Sequence, residues 1–205
     1  MEEECTSPDE DLARLASLTR RVAVFAGAAA GAYYFFAYGM AVMGALLLAA
    51  ALEPSPWAIA ASIILGIALA TILTGVVATP VWRHLATLGL PTGEPGLRSM
   101  IGFALGFPLA YLPTPLLGGW YGGVAWYIGL GASLALAGLL TRPHTYWTLL
   151  AGAGLSMLAT SPIPLALEYY RGTGEAAASG LLLLVYLATG SMAMRRAARV
   201  FEEAG

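Results

Sequence analysis

The chain has 205 residues, of which 59% are hydrophobic and only 11% are charged. Soluble domains of this size carry about 25% charged residues, so the deficit excludes an ordinary soluble fold. The net charge of −2 and the lack of a basic stripe give no indication of a nucleic-acid partner, and we predict none.

The N-terminal residues 1–21 are predicted to form an acidic tail and the start of a cytoplasmic helix. Acidic residues at positions 2–4 replace the basic region of a signal peptide, so we predict no cleaved leader. Ser7, Pro8 and Glu10 have the spacing of a helix cap with proline at the first helical position. A leucine every three residues then forms an apolar stripe on this helix: Leu12, Leu15 and Leu18.

Six apolar runs follow within residues 22–194, and residues 195–205 form a second cytoplasmic tail. They predict an all-α integral membrane protein with a bundle of six transmembrane helices and an extended first helix. The first run, at about 46 Å as a helix, exceeds the ~30 Å hydrocarbon core. It must therefore tilt, project or bend, for which Gly39 is a candidate position. The predicted spans are 22–52, 57–82, 99–112, 116–141, 145–161 and 176–194.

The distribution of arginine sets the predicted orientation in the cell membrane. The third run is short and contains Pro108, so it could be re-entrant. Omitting it would move Arg142 and the C-terminal arginines outside, against the positive-inside tendency. Six spans instead leave only Arg171 outside, with both termini in the cytoplasm. The arginines predicted inside are Arg14, Arg20, Arg21, Arg83, Arg98, Arg142, Arg195, Arg196 and Arg199.

Each predicted outer turn carries a Pro-x-Pro sequence followed by aromatic residues. These turns start at Pro54, Pro113 and Pro162. One interpretation is a threefold repeat of helical hairpins, as transporters use around a central site. The simpler interpretation, which we favour, is that proline ends helices while aromatic and arginine residues mark the membrane interfaces.

The composition also limits the available chemistry. Cys5 is the single cysteine, so an internal disulfide or a thiolate metal cage is excluded. No predicted span contains an ionisable Asp, Glu, Lys, Arg or His, which argues against a proton-driven pump, a voltage sensor or a haem held by paired histidines. We predict no cofactor, no metal and no catalytic residue. The absence of Asn and Gln fits a thermophilic source.

Small residues are predicted to bring the helices together. Pairs with GxxxG spacing allow close approach of helix backbones, either within the chain or at a docking face for another subunit. Residues 33–38 of the first helix are rich in tyrosine and phenylalanine, which could line a pocket for lipid or a small apolar ligand or simply face lipid. The helix-packing candidates are Gly27, Gly31, Gly102, Gly106, Gly118 and Gly122.

One group of polar residues is predicted to share a depth at the cytoplasmic rim. Two histidines and several arginines there could bind a phosphorylated headgroup or assist phosphoryl chemistry, with Glu94 nearby. Arginine there also follows from topology, and a histidine near a helix end can cap carbonyl groups. This candidate headgroup or anion site comprises Arg83, His84, Arg98, Arg142 and His144.

Three functions remain open from the sequence. The first, which we favour, is a transport-type, binding or accessory subunit of a membrane complex that works by helix packing, with a membrane-protein partner or as a homo-oligomer. In topology alone the chain resembles the substrate-binding components of energy-coupling-factor vitamin transporters. That resemblance implies an outward-facing small-molecule site and a cytoplasmic energising partner. The alternatives are an intramembrane enzyme acting on lipid at the rim site and a passive channel.

Overall fold

The computed structural model describes residues 8–51, 96–141 and 145–202, with scattered residues between 65 and 89. The described residues form helices and connecting turns, without a β-strand. Between 65 and 87 every described residue is helical. The remaining helices are α1 (Pro8–Ala51), α2 (Leu97–Tyr111), α3 (Thr114–Leu117), α4 (Gly119–Leu140), α5 (Thr145–Thr160), α6 (Pro162–Arg171) and α7 (Gly174–Glu202).

Five stretches of the described chain are long and apolar enough to cross a membrane. This finding agrees with the predicted class, a helical multi-pass membrane protein. The predicted span 57–82 lies mostly outside the described residues. The five stretches are Leu12–Ala41, Leu97–Leu117, Gly119–Leu140, Thr145–Arg171 and Gly174–Val200.

Helix α1 is 44 residues long and continues through Gly39 without interruption. The described part of α1 begins at Pro8, and Ser7 of the predicted cap lies outside the described residues. A helix of this length spans about 66 Å, roughly twice the hydrocarbon core. Helix α1 must therefore project from the membrane or tilt strongly.

The third apolar run is longer than its fourteen predicted residues. Helix α2 is followed by a turn at residues 112–113 and by the single turn α3, and together they form a 21-residue apolar stretch. At ~1.5 Å per residue that is about the thickness of the hydrocarbon core. Gly118, with a φ of 84°, then separates α3 from α4, so the fourth span begins at residue 119 rather than 116.

The segment predicted as the last outer loop is largely helical. Helix α5 ends at Thr160, and α6 starts two residues later at Pro162 and continues to Arg171. Proline is compatible with the first turn of a helix because the N–H groups there have no intrahelical partner. Helix α7 also extends past the predicted span, so residues 195–202 of the C-terminal tail are helical.

Three closely packed helix pairs organise the bundle. Helix α4 packs against α2 on one side and α5 on the other, and α1 pairs with α7. Helix α5 also contacts α1 and α7, which joins the α2, α4 and α5 group to the α1–α7 pair. The pairing of α1 with α7 is antiparallel: Gly39 lies beside Leu183 and Tyr186, and Phe36 lies beside Gly190. The buried core forms where α1, α4, α5 and α7 meet.

Candidate functional site

The predicted rim site falls mostly on parts of the chain that the structure leaves undescribed. Arg83 and Arg98 are exposed. His84, Arg142 and His144 lie outside the described residues, as does Glu94. Their convergence on a phosphorylated headgroup therefore stays a prediction.

The glycine pair of α1 lies against α5. A Cβ atom added to Gly27 would come within 3.3 Å of the Thr145 Cβ, and one added to Gly31 would come within 2.7 Å of the Leu149 Cδ1. Larger residues at these positions would require the Leu149 side chain to move and Thr145 to shift slightly. This pair therefore serves a helix contact within the chain.

The glycine pair of α2 lies against the backbone of α4. A Cβ at Gly102 would meet the Ala137 backbone, with the nitrogen 2.5 Å away, and one at Gly106 would overlap the Ser133 backbone. This close approach allows the Ser133 hydroxyl to donate a hydrogen bond of 3.1 Å to the Phe103 carbonyl oxygen. The α2–α4 pair thus combines backbone packing with an interhelical hydrogen bond.

Gly118 and Gly122 occupy a different kind of position. Nothing lies within 4 Å of a Cβ built on Gly118, whose positive φ serves the break between α3 and α4. At Gly122 the same construction meets only the Thr114 Cγ2 atom, at 3.5 Å. Within the described chain, Gly118 therefore shapes the backbone rather than a helix contact.

The closest contact between α4 and α5 depends on glycines that the GxxxG criterion does not select. A Cβ at Gly154 of α5 would overlap the Ala135 backbone of α4, and one at Gly138 of α4 would come within 2.5 Å of the Ala151 nitrogen. Gly131 also lies on this contact, 3.2 Å from the Gly154 carbonyl oxygen by the same measure. The seven-residue spacing of Gly131 and Gly138 places both on one face of α4. That spacing was the available sequence signal.

The most concentrated group of polar side chains in the bundle is a tyrosine cluster, comprising Tyr34, Tyr38, Tyr146 and Tyr186 on α1, α5 and α7. The Tyr34 ring centre lies 4.5 Å from that of Tyr38, 6.0 Å from that of Tyr146 and 6.5 Å from that of Tyr186. The Tyr34 and Tyr186 side chains lie close enough for their hydroxyl groups to interact. Phe35 packs edge-on against Tyr186, with the ring centres 5.2 Å apart.

The tyrosine cluster links three helices through aromatic and polar side chains inside a mostly apolar bundle. Phe35 and Tyr186 are buried, so the helix-one aromatics lie partly in the protein core rather than only facing lipid. Tyr146 and Trp147 are also buried. Edge-to-face rings and a hydroxyl pair fix three helices relative to one another more specifically than aliphatic contacts do.

We expect the Tyr34 and Tyr186 hydroxyls to share a hydrogen bond, so that removal of either hydroxyl costs the same interaction. We expect Tyr34→Phe and Tyr186→Phe each to lower the free energy of unfolding by about 0.6 kcal/mol, with values up to ~1.7 kcal/mol within range. The double variant should be hardly less stable than either single one. Reversible denaturation in mild detergent measures this cycle, with Tyr170→Phe, at a 79% exposed position, as the control. Additive losses would contradict the shared bond.

Aromatic residues from two of the predicted outer turns also meet. The Trp120 ring at the start of α4 lies 5.2 Å from Tyr169 of α6 and 6.1 Å from Tyr121. The Tyr121 hydroxyl donates a 2.7 Å hydrogen bond to the Ala110 carbonyl oxygen near the end of α2. These contacts bring together the ends of α2, α4 and α6.

Hydroxyl groups within the apolar helices mostly bond to backbone carbonyls. Ser156 donates to the Gly152 oxygen at 2.8 Å, and Thr148 donates to the Thr145 oxygen at 2.9 Å. The Tyr127 and Thr160 hydroxyls form a 2.8 Å hydrogen bond between α4 and α5. These groups therefore stabilise helices and helix pairs.

The first turns of α1 have two contrasting faces. The leucine stripe, here Leu12, Leu15 and Leu18, is exposed at 65%, 61% and 49%. At ~100° per residue these side chains fall on one side of α1. The opposite side forms a groove of about 450 Å³ with α7, lined by Ala16, Ser17, Arg20, Arg21, Val24 and Val200.

Neither the arrangement of possible metal ligands nor comparison with known proteins identifies a further site. The described part of the chain contains no group of three His, Cys, Asp or Glu side chains placed to hold a metal ion. No protein-family model, curated protein or solved structure matches the sequence significantly.

Proposed function

We propose that this chain is a non-enzymatic accessory or binding subunit of a membrane complex, held to a partner polypeptide by the first turns of α1. The observation that supports this proposal is the leucine stripe, three large apolar side chains exposed on a helix that is continuous with the first membrane span. The chain would lie in the cell membrane with both termini in the cytoplasm, according to its arginine distribution.

The stripe belongs to the part of α1 outside the hydrocarbon. Arg14 lies between Leu12 and Leu15 in the sequence, and Arg20 and Arg21 come after the stripe. Because arginine in the bilayer interior is costly, this part of α1 should lie outside it. Val200, near the end of α7, lines the same groove as Ala16 and Arg20. Because the two helices are antiparallel, residues 8–15 extend beyond α7.

A helix of a partner polypeptide is the occupant that fits this stripe best. An amphipathic helix that lies on the membrane surface has its axis in the plane of the interface. Helix α1 instead continues from the stripe into the span without a break. A leucine every three residues suits packing against another helix.

The use of the polar groups supports a role without catalysis. Hydroxyls of Ser133, Tyr127 and Thr160 form helix–helix bonds, and the Tyr34 and Tyr186 rings pack together. Polar groups committed to structure in this way favour a packing role over a reactive centre or a polar conduction path.

A charge placed in the stripe tests the proposal. We expect gentle purification from the native membrane to give a particle heavier than the 21.3 kDa chain that contains a second polypeptide. Burial of one leucine contributes about 1.5–3 kcal/mol, so Leu15→Glu should weaken partner retention about tenfold or more. Native mass spectrometry measures this retention.

Ala13→Glu supplies the matched control, because it adds the same charge to an exposed position outside the stripe. This variant should keep the partner. A lone 21.3 kDa chain would overturn the proposal, as would undiminished retention by Leu15→Glu. A particle containing only copies of this chain would replace the hetero-complex with a homo-oligomer.

A further inference from the structure

The groove between α1 and α7 combines a basic wall with an apolar lining. Arg20 and Arg21 project from α1 into its lining, which Ala16, Val24 and Val200 complete with apolar side chains. The Ser17 hydroxyl also lines the groove but donates a 2.8 Å hydrogen bond to the Arg14 carbonyl oxygen. The exposed Arg20 guanidinium is therefore the hydrogen-bond donor on which recognition of a ligand in this groove would depend most.

The two stretches that form this groove carry mostly positive charge. Residues 15–24 of α1 and 192–202 of α7 contain five arginines and one acidic residue, Glu202. Arg196 precedes Val200 by one helical turn, which places it on the same side of α7 as the groove lining. Most of these arginines are solvent-exposed, and Arg21 is half-buried. The five are Arg20, Arg21, Arg195, Arg196 and Arg199.

We propose that this groove binds the phosphate of an anionic phospholipid headgroup. Arginine matches phosphate because its planar guanidinium donates two parallel hydrogen bonds to two oxygens. The groove lies at the end of the long apolar stretches of α1 and α7, the depth at which a lipid phosphate meets the protein. Its Val24 and Val200 side chains provide apolar surface for the start of the acyl chains.

A lipid fits these observations better than free phosphate does. A dissolved anion needs no apolar lining, whereas the glycerol and upper acyl carbons of a lipid do. The groove also differs from a general basic collar that only orients the protein. Such a collar attracts anionic lipid without saturation at one position, whereas arginines converging on one groove predict a saturable site that depends on which arginine is replaced.

Lipid titration of the full chain tests the proposal. The delipidated protein in neutral detergent is titrated with phosphatidylglycerol, phosphatidylcholine or inorganic phosphate, and bound species are counted by native mass spectrometry. We expect saturation at one phosphatidylglycerol per chain, with at least tenfold weaker retention of phosphatidylcholine and of inorganic phosphate. Equal affinity for inorganic phosphate would overturn the assignment to a lipid.

Substitution of single arginines distinguishes a specific site in the groove from nonspecific attraction by the surrounding positive charge. Arg20→Gln should weaken phosphatidylglycerol binding at least tenfold, and Arg20→Lys, which keeps the charge but loses the paired donors, should fall between it and the parent. Arg14→Gln removes the same charge from the same helix outside the groove lining and should change affinity less than twofold. Equal losses for Arg14→Gln and Arg20→Gln, or non-saturable binding, would overturn the proposal. Unchanged elution and helicity of Arg20→Lys verify that the fold is intact.

Discussion

Gly154→Ala is expected to destabilise the protein strongly, although it adds only one methyl group. That methyl group would overlap the Ala135 backbone and the Gly131 carbonyl oxygen of α4. Backbone atoms cannot rotate away as a side chain can, so the two helices must separate. Overpacking of this kind costs about 3 kcal/mol, which corresponds to a loss of roughly 6–12 °C in Tm for a chain of this length. Thermal unfolding in mild detergent measures the shift.

Gly152→Ala makes the same chemical change two residues earlier on α5 and supplies the control. Gly152 is exposed, and a Cβ atom there would have no neighbour within 4 Å. Because alanine is the better helix former by about 1 kcal/mol, this variant should be at least as stable as the parent. Similar losses for the two variants would mean that α4 and α5 do not pack through Gly154.

Glu168→Ala is the second substitution for which we expect a large effect. One carboxylate oxygen of Glu168 accepts hydrogen bonds from the N–H groups of Gly174, at 2.7 Å, and Glu175, at 3.3 Å. These groups begin α7 and have no intrahelical partner. Bonds to an ionised acceptor contribute about 1.5–3 kcal/mol, and the helix dipole adds to them. We therefore expect a loss of about 2 kcal/mol in unfolding free energy.

The position of Glu168 also ties α6 to two neighbouring helices. Its other carboxylate oxygen lies against Gly123 of α4, 3.5 Å from the position of a Cβ atom there. Loss of this carboxylate should therefore loosen the outer ends of α4, α6 and α7 together. Hydrogen exchange of the first turn of α7 provides a local readout, and thermal unfolding provides the global one.

Glu175→Ala removes a carboxylate from the first turn of α7 while keeping the backbone N–H that Glu168 binds. Glu175 is exposed, and its charge contributes only a dipole effect of about 0.3–1 kcal/mol. Glu168→Gln should retain part of the cap, because the amide oxygen still accepts. Equal destabilisation by Glu168→Ala and Glu175→Ala would mean that Glu168 acts through its charge alone and not through its hydrogen bonds to the start of α7.

Several features of the fold followed from local properties of the sequence. The helical multi-pass class follows from apolar runs separated by charged residues, because the transfer of residues into lipid is nearly additive along a chain. Proline suits the first turn of a helix, and Pro8 lies at the beginning of the described part of α1. The same local rule could not tell whether Pro162 ended a helix or began one, and the structure has α6 starting there.

The candidate sites depended on contacts that local rules do not describe. GxxxG spacing selected Gly102 and Gly106, which lie on the α4 backbone, and also Gly118, which forms a turn. It did not select Gly154. No spacing rule brought together Tyr146 and Tyr34, which pack against each other in the tyrosine cluster. Spacing records which residues share a face of a helix, but it contains no information on which helix that face meets.

The sequence by itself determined that the chain is helical and that several of its segments are apolar enough to cross a membrane. Hydropathy and helix capping act within a turn or a span, so each segment carries its own signal. Only the tertiary structure decided which faces touch, because the rotation of each helix depends on the shapes of all its neighbours at once. The Glu168 cap on α7, the tyrosine cluster and the basic groove of α1 and α7 all arise at that level.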